Sequence, residues 1–565
     1  MVRPFKMKNF LVRVLLYSLI LSFTPSLFAF AHIGSPGVLV QKQAGKYQVL
    51  VNVIPPDVVP GTAKVTVYVE SGRASSILAR PIYFSSGDEG APVHDELQAV
   101  AENRYEGVVW MMDSGSSSIE LNIDGPDGKA SLVAPVLSVP TRMEPMPTGT
   151  GVGLAALGIL LIVLFITTVG ASLADGTLKP GQSIPKSYGR KRLVGMGIAA
   201  ILLGVGLTGW RTWWTSWADG YRNHELYAPT PIQTTVKAKA DGPSVLAIRI
   251  DTSHFAEGGI KRRRLGFIVP DHGKLMHVFL ARTPGLDAFA HLHPDRKELD
   301  QFESNLPDLP AGQYLLYADV VFRSGFAETL TDTITIPDRS SKTVAGGKNR
   351  PQTDPDDSWL VTEAMGVKPT AVGLPHLDDD MVLCGIPGAS SKLSDGSTLL
   401  WTDKPAAVLE TGTPYVLKFA LADAQGKPAP LEPYLGMSGH AAIVRSDGTV
   451  YIHLHPVGTY SMAAETFLVD RIADTTRRFQ YPDATQFRDS IDRYVARLKQ
   501  LPEAEKNALL LAGMPAMSHP MKVKNMVEFP YAFPRSGHYR IWVQVKRNGQ
   551  VLTGVFDTQV KDGLL

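Results

Sequence analysis

Apolar and polar positions alternate along much of this chain. Tyr47-Gln48-Val49-Leu50-Val51-Asn52-Val53 and Ala63-Lys64-Val65-Thr66-Val67-Tyr68-Val69 put an apolar side chain at nearly every second residue, with Pro55-Pro56 and Pro60-Gly61 as punctuation. That is the period of half-buried strands joined by turns, so residues 32–145 predict a small β-sandwich. The same pattern returns over 225–337, with strands expected at Val245–Ile250, Met276–Ala281, Gln313–Phe322 and Thr331–Ile336. A polar linker at 338–357 lacks apolar periodicity, and a third β domain is expected over 359–561. Within it an insertion at about 457–526 carries Phe487, Ile491, Tyr494, Leu498 and Leu501 at helical spacing, which predicts a helix packed on the sandwich.

Two apolar runs break the strand pattern. Val152–Ala174 and Leu193–Trp214 are each long enough to cross a hydrocarbon layer of ~30 Å. Between them stand Lys179, Lys186, Arg190, Lys191 and Arg192, which the positive-inside rule assigns to the cytoplasm, so both flanking regions are expected outside. Trp210, Trp213, Trp214 and Trp217 close the second run and suit an outer membrane interface. Residues 1–31 combine Arg3, Lys6, Lys8 and Arg13 with an apolar stretch and Ala29-Phe30-Ala31, the pattern of a signal peptide, with a retained anchor as the alternative. The expected fold class is mainly β: three exported immunoglobulin-like or cupredoxin-like β-sandwich domains plus two transmembrane helices, in the cytoplasmic (inner) membrane with the large domains on the periplasmic side.

Composition narrows the chemistry. Lys+Arg 56 against Asp+Glu 54 leaves a net charge of +2 in 565 residues, which gives nucleic acid no electrostatic footprint. The basic run Lys261-Arg262-Arg263-Arg264 falls outside the membrane in this topology and reads as a solvated loop. The single cysteine, Cys384, excludes a disulfide framework and Cys-rich zinc sites. A metal site would therefore use His, Met, carboxylate or backbone groups.

Such ligands recur in order. His-Leu-His-Pro occurs at His291–Pro294 and again at His453–Pro456. On a strand, residues two apart share a face, so each copy presents paired imidazoles. Upstream stand Asp271-His272-Gly273-Lys274-Leu275-Met276-His277 in one copy and Gly436-Met437-Ser438-Gly439-His440 in the other. Downstream, Leu309-Pro310-Ala311-Gly312-Gln313-Tyr314 corresponds to Phe533-Pro534-Arg535-Ser536-Gly537-His538-Tyr539. The second and third domains thus read as divergent copies of one plan.

Gly513-Met514-Pro515-Ala516-Met517-Ser518-His519-Pro520-Met521, followed by Phe533-Pro534 and Gly537-His538-Tyr539, resembles the YtkA-like and FixH-like exported β-sandwich families. That resemblance, confined mainly to the third domain, implies copper handling or oxidase biogenesis. Ala31-His32-Ile33-Gly34-Ser35-Pro36, Phe289-Ala290-His291-Leu292-His293-Pro294 and the two-span layout resemble an uncharacterised group of bacterial two-span membrane proteins.

The candidate ligands are His440, His453 and His455 in the third domain, with Met437, Met462, Met514, Met517, His519 and Met521 as soft partners. In the second they are His277, His291 and His293, beside His272 and Met276. Three imidazoles suit Cu(II) or Zn(II), and thioethers shift preference toward Cu(I), so copper is expected first and zinc second. Cleavage after Ala31 would free the amine of His32, which with its ring could chelate an ion beside His94 or Met111/Met112. The functional expectation is a membrane-anchored metal buffer, or a donor to a copper-receiving membrane or periplasmic protein. Two alternatives stand beside it. One is a structural or sensory module in which the histidines close hydrogen bonds in a core. The other is a His-ligated metal enzyme, against which counts the absence of His-Glu-x-x-His and of a nucleophile elbow.

Overall fold

The computed structural model describes residues 37–174, 178–179, 181–183, 185–237, 244–251, 265–338, 353–365, 389–404, 408–476, 478–512 and 525–563. Strands dominate, arranged as three two-sheet sandwiches. The first pairs a five-stranded sheet (strand order 38–44, 47–54, 61–71, 104–111, 98–101) with a four-stranded one. Their inward residues, such as Val49, Val51, Val65, Val67, Ile119 and Leu121, form its core. As the alternation predicts, these core positions lie two apart on each strand.

Two helices follow, α1 (Thr148–Ala174) and α2 (Lys186–His224). Both are long and apolar enough to cross a membrane. Leu160, Phe165, Ile201 and Trp213 are each at least half exposed, so these are not core helices of a soluble domain. A Cβ on Gly170 would meet Met196, and one on Gly195 would meet Leu173; small residues let the two helices approach as a hairpin. At the far end of α2, Trp214 stacks on Trp217 and Trp217 on Tyr221.

The second and third sandwiches share a four-stranded arrangement. In the second, the central strand Gly312–Phe322 pairs with His277–Thr283 and Ala327–Ile336, and His277–Thr283 pairs with Ala288–Leu292. In the third, Gly537–Arg547 pairs with His440–Arg445 and Gln550–Lys561, and His440–Arg445 pairs with Tyr451–Leu454. Tyr314 donates to the Pro310 carbonyl at 2.7 Å, and Tyr539 donates to the Arg535 carbonyl at 2.7 Å, four residues upstream in each case. Such tyrosine corners tie a strand to the loop before it.

The boundaries differ from the expected ones in two places. Ser358–Val361 is not the start of the third domain but an edge strand of the second, paired with Ala288–His291. The tail of the expected linker, residues 353–357, therefore packs on the second domain. The insertion forms α3 (Met462–Ala473), α4 (Ala484–Gln500) and α5 (Glu503–Ala512). These helices do more than cover their own sandwich: Ile491 and Val495 pack on the second domain's core, and Phe487 lies against Phe267. An amphipathic helix buries its apolar stripe wherever apolar surface is on offer, and here the second domain supplies it.

The first domain, although it precedes α1, packs on the third, which follows α2. Leu39 donates to Thr459 Oγ1 at 2.9 Å, Gln41 N to the Val457 carbonyl at 2.9 Å, and Arg471 Nε to the Phe84 carbonyl at 2.9 Å. Lys42 and Glu465 form a buried ion pair. Both ends of the helical hairpin thus carry domains that touch each other.

Candidate metal centre

Strand alternation gives each repeat sheet two apolar faces. On the strand from His277, Val278 and Leu280 enter the second domain's core, whereas Phe279 and Ala281 point to the third domain. On the strand from His440, Ala441 and Ile443 enter the third domain's core, and Ala442 and Val444 point to the second. The two sheets meet through this shared layer. Phe289 stacks on Trp542 at 4.5 Å and Tyr317 on Tyr451 at 4.1 Å, contacts that exchange places if the domains are interchanged. Odd-numbered residues of the His291 strand and their counterparts on the Tyr451 strand face this layer, so every histidine of both His-Leu-His-Pro elements points into the junction.

Seven of the fourteen histidines gather there. The rings of His277, His291 and His293 lie 4.5–5.3 Å apart between centroids. Those of His272, His440 and His455 lie 4.8–5.3 Å apart. His453 stands between the groups, 5.2 Å from His277 and 5.3 Å from His440. Within each trio one ligand nitrogen per residue lies within 4.8 Å of the others. The second trio draws His272 from the second domain and the other two from the third. His272 owes its aim to a tight loop, closed by mutual Asp271–Lys274 hydrogen bonds, in which it takes φ of 51° before Gly273 at 80°. Leu435 and Gly436 repeat that loop at 51° and 80° in the third domain.

The surrounding acceptors fix one nitrogen of several rings and leave the other bare. His277 Nε2 faces the Asp271 carbonyl at 3.1 Å, His291 Nδ1 faces Gln544 Oε1 at 2.9 Å, His293 Nδ1 faces Asp357 Oδ1 at 2.9 Å, and His455 Nδ1 faces the Tyr460 carbonyl at 2.8 Å. A neutral imidazole donating at one nitrogen carries a lone pair at the other. His277 Nδ1 and His291 Nε2 then oppose each other, lone pair to lone pair, at 3.1 Å. Nε2 of His293, His453 and His455, and both nitrogens of His440, have no hydrogen-bond partner although buried. Unpaired buried nitrogens are costly, and opposed lone pairs are relieved by a proton or a metal ion between them. Orientation of a ring by a carbonyl or carboxylate behind it is the usual support of a metal-bound histidine.

Electrostatics favour the bare form. Burial, followed by His293 nearby, lowers His277 to about 3; burial and Lys274 lower His293 to about 3; burial and His272 lower His455 to about 4. His291, His440 and His453 are lowered well below the ordinary range, again first by burial. Asp319, 3.5 Å from His453 Nδ1, is pushed up to about 7 by burial.

The sequence-predicted residues divide into three groups. His277, His291, His293, His440, His453 and His455 converge on one centre rather than two. Met437 does not belong to it: it lies in the apolar cluster with Tyr460, Met462 and Leu498, because the loop that corresponds to Asp271–Lys274 turns it toward the first domain. Met276 likewise fills the second domain's core, as the residue one before an inward-facing histidine must. His32, Met514, Met517, His519 and Met521 lie outside the described residues. His94, the companion proposed for His32, is engaged with Glu120 at 3.2 Å and Asn122 at 2.8 Å. Periodicity gave no signal for Asp357, Gln544 and Asp319, which are separated from their histidines by up to 253 residues.

A family model described as Domain of unknown function (DUF8832) matches residues 392–480, a stretch that includes His440, His453 and His455. No curated protein sequence matches the chain. Among solved structures, the chain is similar to a tetra-tandem repeat from the extending region of a large adhesion protein, at 8% identity over 89% of this chain and 96% of that one, with a TM-score of 0.13. It is also similar to the FN1–FN3 domains of chicken CNTN1, at 8% identity over 94% and 99%, TM-score 0.12. A putative membrane anchored protein from Corynebacterium diphtheriae matches at 9% identity over 92% of each chain, TM-score 0.14. Scores this low bear on neither site nor activity.

Proposed function

We propose that this protein is a membrane-anchored, extracytoplasmic transition-metal protein whose centre is the histidine cluster between its second and third domains. The observation that carries the reading is the convergence of both His-Leu-His-Pro elements on one point with bare ring nitrogens facing inward. A structural role for the histidines would leave their nitrogens satisfied, and several are not. An all-imidazole set selects copper, as Cu(II), over hard cations, with Zn(II) as its competitor. The resemblance of the third domain to YtkA-like and FixH-like proteins points the same way. The outside location rests on the basic loop between the helices and on the contact between the first and third domains, which puts both on one side of the hairpin.

The seven rings are almost wholly buried, from 0% exposed for His291 and His440 to 6% for the His453 side chain. Burial to this degree favours retention over ready hand-over, so the protein holds its metal firmly, and transfer to a copper-receiving partner would require the domains to part. The test is metal content of the full chain purified in detergent, stripped with a chelator and reloaded with Cu(II) or Zn(II), beside a His291→Ala/His453→Ala variant. Stoichiometric copper reduced in the variant is expected. No metal above background in the folded wild type would overturn the reading.

A further inference from the structure

We propose that the centre is binuclear, with one ion held by His277, His291 and His293 and a second by His272, His440 and His455. This deepens the metal-binding reading and rests on it. Seven imidazoles exceed what one ion accepts: sites of nitrogen ligands close at about four. Two such sites need no more than six of the seven, which leaves His453 between them as a shared or supporting ring.

The geometry separates the trios. At metal–nitrogen bonds of ~2.0–2.1 Å, tetrahedral ligand nitrogens stand roughly 3.4 Å apart. The opposed His277 and His291 nitrogens are already 3.1 Å apart, and each trio closes within 4.8 Å. His272 and His277, which belong to different trios, have ring centroids 6.3 Å apart. The third grouping of possible ligands, His293 with Asp354 and Asp357, is not an independent site. Asp357 orients His293 from behind, and Asp354 is ion-paired with Lys274.

Three ligands per ion leave a fourth position, and His453, 5.2 Å from His277 and 5.3 Å from His440, stands where it can fill it for either ion. A cleft of about 610 Å³ borders the centre, with His272 and His293 in its lining. Its lysines are matched by carboxylates, Lys274 and Lys506 both by Asp356, at 3.0 Å and 3.1 Å. The two histidine side chains are closed off from it, at 0% exposure for His272 and 1% for His293.

The test uses the full chain in detergent, titrated with Cu(II) and weighed by native mass spectrometry. Wild type is expected to take two ions. His272→Leu installs the residue that the third domain carries at the matching loop position with the same φ of 51°, so the loop should be retained. It is expected to take one ion, or to bind the second at least tenfold more weakly. His291→Ala is expected to lose the other ion, and far-UV circular dichroism on both variants controls for folding. A single ion in wild type, unchanged by His272→Leu, would overturn the binuclear centre while leaving metal binding intact. No ion at all would remove the metal reading itself.

Discussion

The second and third domains share one plan, and the differences that shape the histidine cluster lie where they face each other. In the second, His272 occupies the positive-φ loop position that Leu435 occupies in the third. Opposite His277 the central strand carries Asp319, and opposite His440 it carries Gln544. Each reaches across to the other domain's His-Leu-His-Pro element, Gln544 to His291 and Asp319 to His453. Leu315 and Thr333 form a cross-strand pair in the second domain where Arg540 and Asp557 form one in the third. A duplicated sandwich thus keeps its core apolar, as Val278, Leu280 and Leu316 answer to Ala441, Ile443 and Ile541, whereas its outer face takes on polar and charged differences because that face has a partner to adapt to. Asymmetry at the junction follows: one loop supplies an imidazole and the other an apolar cover.

The largest test of this comparison is Arg540. Its guanidinium clasps Asp557 with two bonds of 2.7 Å and donates to the carbonyls of Leu286 and Glu363 at 2.9 Å, so one buried side chain ties the third domain to the second. Arg540→Leu strands a buried carboxylate and is expected to cost about 3–5 kcal/mol in chemical denaturation. Arg540→Leu with Asp557→Thr copies the second domain's pair and should recover most of that loss. Equal losses in the single and double variants would break the equivalence drawn between the domains.

Acidification comes next. The junction histidines are neutral when folded and have folded pKa values below the ordinary 6.5, at about 3 for His277 and His293 and about 4 for His455. The unfolded chain therefore binds more protons below pH 6.5, and stability falls as pH falls. It is complete above about 6.5 and is lost progressively down to the folded values, at about 1.4 kcal/mol per pH unit for each such histidine. Urea midpoints of the metal-free chain between pH 7.5 and 5.5 should drop steeply. The same series on Trp542→Ala, which removes the stack on Phe289 and loosens the junction, should start lower by about 3–5 kcal/mol and show a shallower slope. Parallel slopes would mean that the histidines are shielded by each domain alone.

The smallest effect sharpens the comparison most cleanly. Tyr314→Phe and Tyr539→Phe each delete one tyrosine-corner hydrogen bond, and each should cost about 1 kcal/mol. Similar values by denaturation would mark the corners as unchanged heirs of one plan, and a difference above about twofold would argue that one domain bears more of the load.

Much of this was legible beforehand, residue by residue. The His-x-His spacing on a strand put both imidazoles of each copy on one face, and the structure has them so. Leu309-Pro310 through Tyr314 was matched to Phe533-Pro534 through Tyr539 as one lead-in to a strand, and the structure puts a tyrosine corner at each. What escaped was whatever depends on two distant segments. Residues 353–357 are polar and read as linker, yet Asp357 accepts from both the main chain and the ring of His293. Met437, three residues before His440, looked like a soft ligand, but it closes the Tyr434–Met437 turn, which sends it into the apolar cluster with Tyr460 and Met462.

The sequence by itself determined the local matters: alternating strands, two apolar helices, the repeat, and the ligand types. These follow from side-chain period and backbone chemistry over a few residues. Tertiary structure decided that two candidate sites are one centre, that His272 of the second domain lies against His440 and His455 of the third, and that the first and third domains lie together. Those depend on which apolar face meets which. Both faces of each repeat sheet are apolar, and only the packed molecule shows that the outer ones close on each other and bring seven histidines with them.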